Sequence, residues 1–181
     1  QKHAPPRLCA NLHIPPNVSA NAMRTILHIN KLILIIGLII INSSCMSKKD
    51  KLFEKIESLG YPDNEILVTL EDFFEGNNDY GSIGVNLYPH QPSPSDFYSK
   101  FKEIRQLDSV DNIYVRIADT EDSDWAYTDA VYIVTTLSIP DLQKILTDLQ
   151  PDEIYEDWMY GKPTNAPDLP NDFKVFSIWW D

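Results

Sequence analysis

The sequence predicts an α+β domain within residues 62–181, built from an antiparallel sheet with two helices on one face. Residues 97–107 and 142–149 carry apolar side chains at helical spacing, which predicts two helices that each bury one face. Residues 112–118 and 130–136 are rich in β-branched and aromatic side chains, which predicts strands. Capping residues, glycines and prolines lie between these segments and keep the elements short.

An N-terminal helix comes first, over residues 50–59. Its apolar side chains share one face, and a glycine and a proline follow it as stop signals. Residues 66–70 predict a short strand. Thr69 then caps a single helical turn over residues 70–75, with Asp72 at the capping-box position.

A strand at residues 82–87 and a longer helix are predicted next. Ser93 and Pro94 open this helix, because serine is a favourable cap and proline suits a first helical turn. Its apolar stripe consists of Phe97, Phe101, Ile104 and Leu107.

Two strands and a second helix follow. Residues 112–118 alternate between apolar and polar side chains, whereas residues 130–136 are consistent with a central strand. The connection between them, residues 119–124, is acidic and is expected to be exposed. Ser138 caps the second helix with Asp141 at the capping-box position, and a proline ends it.

The last strands are predicted at residues 153–158 and 174–180, joined by a proline-rich connection. From residue 82 onward, the order is strand, helix, strand, strand, helix, strand and one extra C-terminal strand. This is the ferredoxin-like split βαβ order, preceded by the N-terminal helix. Another α+β sandwich is the alternative.

A segment near the start of the chain resembles a bacterial lipoprotein signal. Met23 and Arg24 open a basic stretch, residues 32–41 are an unbroken apolar run, and small polar residues lead to Cys45. The resemblance implies that Cys45 is lipidated with palmitate-type chains, becomes the new N-terminus and anchors the domain to a membrane of the cell envelope. The alternatives are an uncleaved transmembrane anchor, for which the run is short, and a buried helix.

This interpretation divides the chain into four parts. Residues 1–22 are upstream sequence absent from the mature protein, and residues 23–44 are the signal peptide. Residues 45–61 contain the lipidated cysteine, a tether and the short helix. Residues 62–181 form a single acidic domain, long enough for one core.

The charge of the chain changes at Cys45. All 27 acidic residues lie after it, whereas four of the 15 basic residues lie before it, so the later part has 11 basic residues and a formal net charge of −16. Nucleic-acid binding is disfavoured, because phosphate contacts need a basic face. A basic protein partner is favoured, although acidity also serves solubility.

The later part of the chain lacks the side chains of several common active sites. His90 is its only histidine, and Cys45 would carry lipid. A disulfide, a thiolate nucleophile or a Cys/His zinc site therefore cannot be built. We predict no catalytic residue, no metal ligand and no cofactor.

Three acidic clusters are the remaining candidates for site chemistry. They comprise Glu71, Asp72, Glu75 and Asp79; Asp119, Glu121, Asp122 and Asp124; and Asp152, Glu153, Glu156 and Asp157. Calcium binding is one alternative, and solvated acids at turns and helix ends are another. A third is a glycosidase that uses two carboxyl groups.

Part of the domain also resembles a group of small acidic bacterial proteins. The similarity lies in residues 68–77, residues 81–87 and the terminal Trp179-Trp180-Asp181. The group consists of uncharacterised, immunity-like or accessory single domains, and no catalytic motif accompanies the resemblance.

These observations favour a membrane-tethered, non-catalytic binding module of the cell envelope that docks a basic protein through an acidic surface, as an immunity-like protein would. The partner-binding candidates are Glu71, Asp72, Glu75, Asp79, Tyr80 and Trp125. The alternative is a small carboxylate-dependent enzyme that acts on an envelope glycan. The oligomeric state is not predicted.

Overall fold

The computed structural model describes residues 46–121 and 124–181. The predicted signal peptide at residues 23–44, the predicted lipidation site Cys45 and residues 1–22 lie outside the described residues, as do Asp122 and Ser123. Within the described ranges, every helix is too short or too polar to cross a bilayer.

Four α-helices and five strands make up the domain. Their order is α1 (Lys48–Ser58), β1 (Leu67–Thr69), α2 (Leu70–Phe74), α3 (Pro94–Ile104), β2 (Val110–Arg116), β3 (Ala130–Thr135), α4 (Ile139–Ile145), β4 (Glu153–Glu156) and β5 (Lys174–Trp179). Single 3₁₀ turns lie at Tyr80–Ser82, Val85–Leu87 and Thr147–Leu149.

The five strands form one sheet in the order β1-β2-β3-β5-β4, and every neighbouring pair is antiparallel. The α+β class, the antiparallel sheet, the N-terminal helix and the extra C-terminal strand are confirmed. The strand order differs from the split βαβ order, which requires a parallel pair joined by a helical crossover. Here β1 lies at one edge and pairs antiparallel with β2.

The predicted strand at residues 82–87 is wrong, and its backbone forms 3₁₀ turns instead. Gly84 interrupts it with a left-handed backbone (φ 64°), which a strand cannot contain. Ile83 makes only an isolated bridge to Thr128. The first strand of the sheet is therefore β1, which the sequence predicts as a separate short strand.

Capping boxes begin all four described helices. Ser47, Thr69, Ser93 and Ser138 each accept a hydrogen bond from the backbone N–H three residues on, and an aspartate at that position binds the cap in return. Leu107 was predicted on the buried stripe of α3. However, α3 ends at Ile104, and Leu107 is 41% exposed.

The main core lies between one face of the sheet and the four helices. Trp180, immediately after β5, is fully buried, and its ring meets Phe97 and Phe101 edge-on at 5.4 and 6.4 Å between centroids. Its indole N–H donates to the Leu149 carbonyl at 2.8 Å. Since α3 and α4 both contribute to this core, the predicted two helices on one face are confirmed.

The opposite face of the sheet is covered by residues 157–173. The ring of Trp158 packs edge-on against Tyr132, with their centroids 4.8 Å apart. The side chain of Asn165 accepts from the Leu67 N–H at 2.9 Å and donates to the Leu67 carbonyl at 2.8 Å. Asn165 thus closes the edge of β1 against pairing with another strand.

A buried ion network fastens this covering segment to the sheet. Arg116, at the end of β2, donates two hydrogen bonds to Glu65 (2.9 and 2.8 Å) and one to Asp129 (2.9 Å). The Tyr160 ring stacks on the guanidinium at 3.8 Å, and its hydroxyl donates to Asp129 at 2.8 Å. Burial alone would lower the pKa of Arg116, but these carboxylates outweigh it and raise the pKa.

Replacement of Arg116 by alanine should therefore be strongly destabilising. It leaves two partly buried carboxylates without a cation, and breaking such a buried pair typically costs about 3–5 kcal/mol. Urea unfolding at neutral pH measures the change. Lys174→Ala is the control, because the exposed pair of Lys174 with Glu156 contributes about 1 kcal/mol or less. Equal, small losses in both variants would contradict the account.

Candidate partner-binding surface

Three of the predicted partner-binding acids are already paired within the domain. Glu71 of α2 accepts a forked pair of hydrogen bonds from the Arg105 guanidinium, one of them at 3.1 Å. Asp72 forms an ion pair with Lys55, and Glu75 forms one with Lys48. Both lysines belong to α1, so these two ion pairs join α1 to the acidic side of α2.

The ion pairs shift the pKa values of three of these groups, Glu71, Asp72 and Lys48. Hydrogen bonds from Arg105 lower the pKa of Glu71. Burial opposes ionisation of Asp72, but hydrogen bonds from Lys55 and Thr69 outweigh it and lower its pKa. The hydrogen bond to Glu75 raises the pKa of Lys48. Three carboxylates and three cations thus cancel in net charge, which leaves little field on this face to attract a partner.

Asp79 shapes the loop after α2. Its Oδ1 accepts from the Gly81 N–H at 2.8 Å, and its carbonyl accepts from the Ser82 hydroxyl at 2.7 Å. The neighbouring Tyr80 is 54% exposed. Asp79 therefore holds the 3₁₀ turn that presents Tyr80 to solvent.

Trp125 lies in the core rather than on a recognition loop. It is 5% exposed, and its indole N–H donates to the Phe73 carbonyl at 2.8 Å. The tip of its ring lies under Gly76, where an added Cβ would be 4.0 Å away. Trp125 thus packs the acidic turn onto α2 and does not offer its ring to a partner.

The segment at residues 80–90 presents two further apolar side chains that the sequence did not predict as exposed. Tyr88 is 82% exposed and Val85 is 41% exposed. The incorrect strand assignment at residues 82–87 concealed Val85, because a strand in the sheet would bury alternate side chains, whereas Tyr88 lies just beyond that assignment. The glycines, asparagine and proline of the segment were the signal for a turn.

Hydrogen bonds and a close packing contact hold this segment in one conformation. The side-chain amide of Gln91 donates to the carbonyls of Tyr80 and Ile83 at 2.5 and 2.7 Å. Gly84 lies against Phe97, where an added Cβ would be 3.0 Å from the ring. Asn86 donates to Asp152 at 2.7 Å, across to the start of β4.

The surroundings of this segment are acidic. The chain contains no lysine or arginine at residues 56–99 or 117–143. Thr128, which follows the acidic turn in the chain, donates its N–H to the Ser82 carbonyl at 2.9 Å and so joins the chain that leaves this turn to the segment. On the other side, Asp152 accepts from Asn86 and from the Asp181 N–H at 2.9 Å. We call the exposed part of residues 79–90, with Glu121, Asp124, Asp152 and Asp181, the loop surface.

The other acidic groups do not form a metal centre in the described ranges. No set of three or more His, Cys, Asp or Glu side chains there is arranged to hold an ion. Asp119 accepts from the backbone N–H groups of Thr120 and Glu121, and Glu156 pairs with Lys174. Each of these two carboxylates therefore has a structural partner.

A groove of about 450 Å³ lies between α3 and the 3₁₀ turn at Thr147–Leu149. Lys100 bridges it, with its Nζ 3.5 Å from a carboxylate oxygen of Glu103 and 3.5 Å from one of Asp148. A two-carboxylate hydrolase needs one of its acids free to receive or give a proton. Both acids of this groove lie within ion-pair distance of the Lys100 ammonium, so neither is free in this arrangement.

The sequence model of the "Uncharacterized protein YfbO family" matches residues 47–178. The chain belongs to this family. "Uncharacterized protein YfbO" of Escherichia coli (strain K12) is 34% identical over 116 residues, which cover 64% of this chain and 82% of that protein. The resemblance to a group of uncharacterised bacterial domains is thereby confirmed. No solved structure matches the chain.

The Arg105–Glu71 pair of this YfbO-family domain should contribute to stability in a pH-dependent way. The folded pKa of Glu71 is lowered, so the contribution is complete above the unfolded value of about 4.3 and is lost as the pH falls through the folded value. We expect Arg105→Met to lower the unfolding free energy by about 1 kcal/mol at pH 7. The difference from wild type should shrink below a pH of about 4.

Urea unfolding across this pH range provides the test. Lys162→Met is the control, because Lys162 is exposed and lies outside the ion pairs of the described residues. A loss in Arg105→Met that does not change with pH would point to packing of the arginine stem instead of the ion pair.

Proposed function

We propose that the protein is a membrane-tethered, non-catalytic binding module of the bacterial cell envelope, which docks a basic protein through the loop surface. An immunity-like role, in which the module occupies a basic toxin, is one form of this function. The uneven pairing of acidic side chains carries the proposal. Glu71, Asp72 and Glu75 are paired with cations, whereas the exposed acids of the loop surface form no ion pair with the described residues.

The overall charge supports a basic partner. The part of the chain after Cys45 has a formal net charge of −16, which attracts a cationic protein over long distance and raises the rate of encounter. Glu121 and Asp124 are exposed, so a docked partner can reach them. Of the predicted partner-binding residues, only Tyr80 stays available to a partner. Glu71, Asp72 and Glu75 are paired, Trp125 is buried, and the Asp79 carboxylate binds the Gly81 N–H through Oδ1 and buries Oδ2.

The tether places the domain close to the membrane. Helix α1 starts at Lys48. Its cap, Ser47, is two residues after the proposed lipidation site at Cys45. Two residues span at most about 7 Å, so the folded domain begins at the bilayer surface. Lys49 and Lys51, which form no ion pair with the described residues, would face anionic headgroups there.

The lipid anchor predicts incorporation of a fatty acid at one cysteine. Cells that express the full chain should attach an alkyne-tagged palmitate analogue to it, and Cys45→Ala should abolish the label and move the protein out of the membrane fraction. Cys9→Ala is the matched control, because Cys9 is the other cysteine of the chain and should leave the label unchanged. Labelling that survives in Cys45→Ala would contradict the anchor.

Charge reversal on the loop surface should prevent partner capture. In the proposed experiment, the full chain is used to capture proteins from an envelope extract at low salt. Wild type should retain a basic protein that salt releases, and Glu121→Lys with Asp124→Lys should slow its association about tenfold or more. Both side chains are exposed, so the fold should be unaffected.

A matched double variant at the start of β2, Asp108→Lys with Asp111→Lys, makes the same change in net charge at the end of that strand opposite the acidic turn, and both side chains are exposed. It should retain the partner nearly as wild type does. If both double variants weakened capture equally, net charge rather than this surface would be responsible. If no protein distinguished wild type from the loop variant, the binding proposal would fail.

A further inference from the structure

We propose that Tyr80, Val85 and Tyr88 form the apolar contact of the loop surface, and that the occupant is a basic protein segment that places an apolar side chain against them. This inference rests on the proposed function and deepens it, because it separates the side chains that hold the partner from the charges that attract it.

Tyr88 and Tyr80 are the most exposed aromatic side chains among the described residues, at 82% and 54%. Tyr160 (43%) and Tyr155 (37%) are less exposed, and Trp125, Tyr132 and Trp180 are buried. A single exposed apolar residue is ordinary on a protein surface. Here, however, three lie within nine consecutive residues of a loop that the fold holds in place, and tyrosine is among the residues enriched at binding hot spots.

The loop is anchored from beneath, so its exposed side chains are positioned before a partner arrives. Ile83 is fully buried, and Leu87 packs against the main core between the exposed residues. Gln91 and Asn86 fix the loop on either side through hydrogen bonds to Tyr80, Ile83 and Asp152. A rigid loop loses little conformational freedom on binding, which leaves more of the contact energy for affinity.

Charge selects the occupant. The carboxylates of Asp124, Asp152 and Asp181 would attract the cations of a basic segment. Residues 56–99, which include the loop, contain no lysine or arginine that would repel it. A second copy of the chain would bring another formal charge of −16 to the same surface, and an anionic bilayer would be repelled by it. A basic protein segment is the occupant that satisfies both the charge and the apolar contact.

Selection from a library of short random peptides displayed on phage tests this inference on the full folded chain at low salt. The selected peptides should be rich in lysine and arginine and carry at least one apolar or aromatic residue. Tyr88→Ala should weaken their binding by about tenfold or more. Because the Tyr88 side chain is so exposed, the thermal unfolding midpoint of this variant should equal that of wild type.

Tyr155→Ala is the matched control. Tyr155 is 37% exposed, and it lies on the face of the sheet opposite the main core, because its neighbour Ile154 packs against that core and side chains alternate along a strand. The selected peptides should bind Tyr155→Ala as they bind wild type.

The outcomes separate this inference from the proposed function. If Tyr88→Ala binds the peptides like wild type while Glu121→Lys with Asp124→Lys does not, the apolar contact is overturned and electrostatic docking stands. If the peptides are not basic, or if none depends on Tyr88 or on the acids, both are overturned. Self-association that Tyr88→Ala abolishes would assign the surface to a second copy and overturn the inference.

Discussion

The ion pairs of Glu71, Asp72 and Glu75 with Arg105, Lys55 and Lys48 determine which surface of the domain can attract a partner. They join α1 and the C-terminal end of α3 to α2, and they neutralise the three carboxylates on this side of the domain. Where carboxylates are paired with cations, the local net charge is small, so the negative potential of an acidic chain is strongest where the carboxylates are unpaired. Here the unbalanced region surrounds residues 79–90, where the chain has no basic side chain.

The fold supports this surface from below. Gly84 can lie against Phe97 only because it lacks a side chain, and this contact sets the loop directly on the aromatic core that Phe97 forms with Trp180. Trp125 packs against Phe73 of α2 and against Gly76, which leads from α2 into this loop. The aromatic residues thus have two roles. Trp125 and Trp180 are buried in the core beneath this surface, and Tyr80 and Tyr88 are exposed on it.

Local sequence signals predicted most of the secondary structure. The capping boxes at Thr69 and Ser138 were predicted because each needs only a residue and its neighbour three positions on. The strand order and the pairing of the acids were not predicted, because they depend on distant residues. Arg105 and Glu71 are 34 positions apart, and no local pattern distinguishes a solvated glutamate from a paired one. Trp125 was misplaced for the same reason, as its partner Phe73 is 52 positions away.

The claim that the loop surface, and not α2, carries the attractive charge is tested most directly by nuclear magnetic resonance. A short lysine-rich peptide titrated at low salt into the isotope-labelled protein should shift the backbone amide signals of residues 79–90 and of Asp124, Asp152 and Asp181, and added salt should reverse the shifts. The amides of residues 71–75 should remain unchanged, because their carboxylates already hold cations. Shifts centred on residues 71–75 would contradict the account.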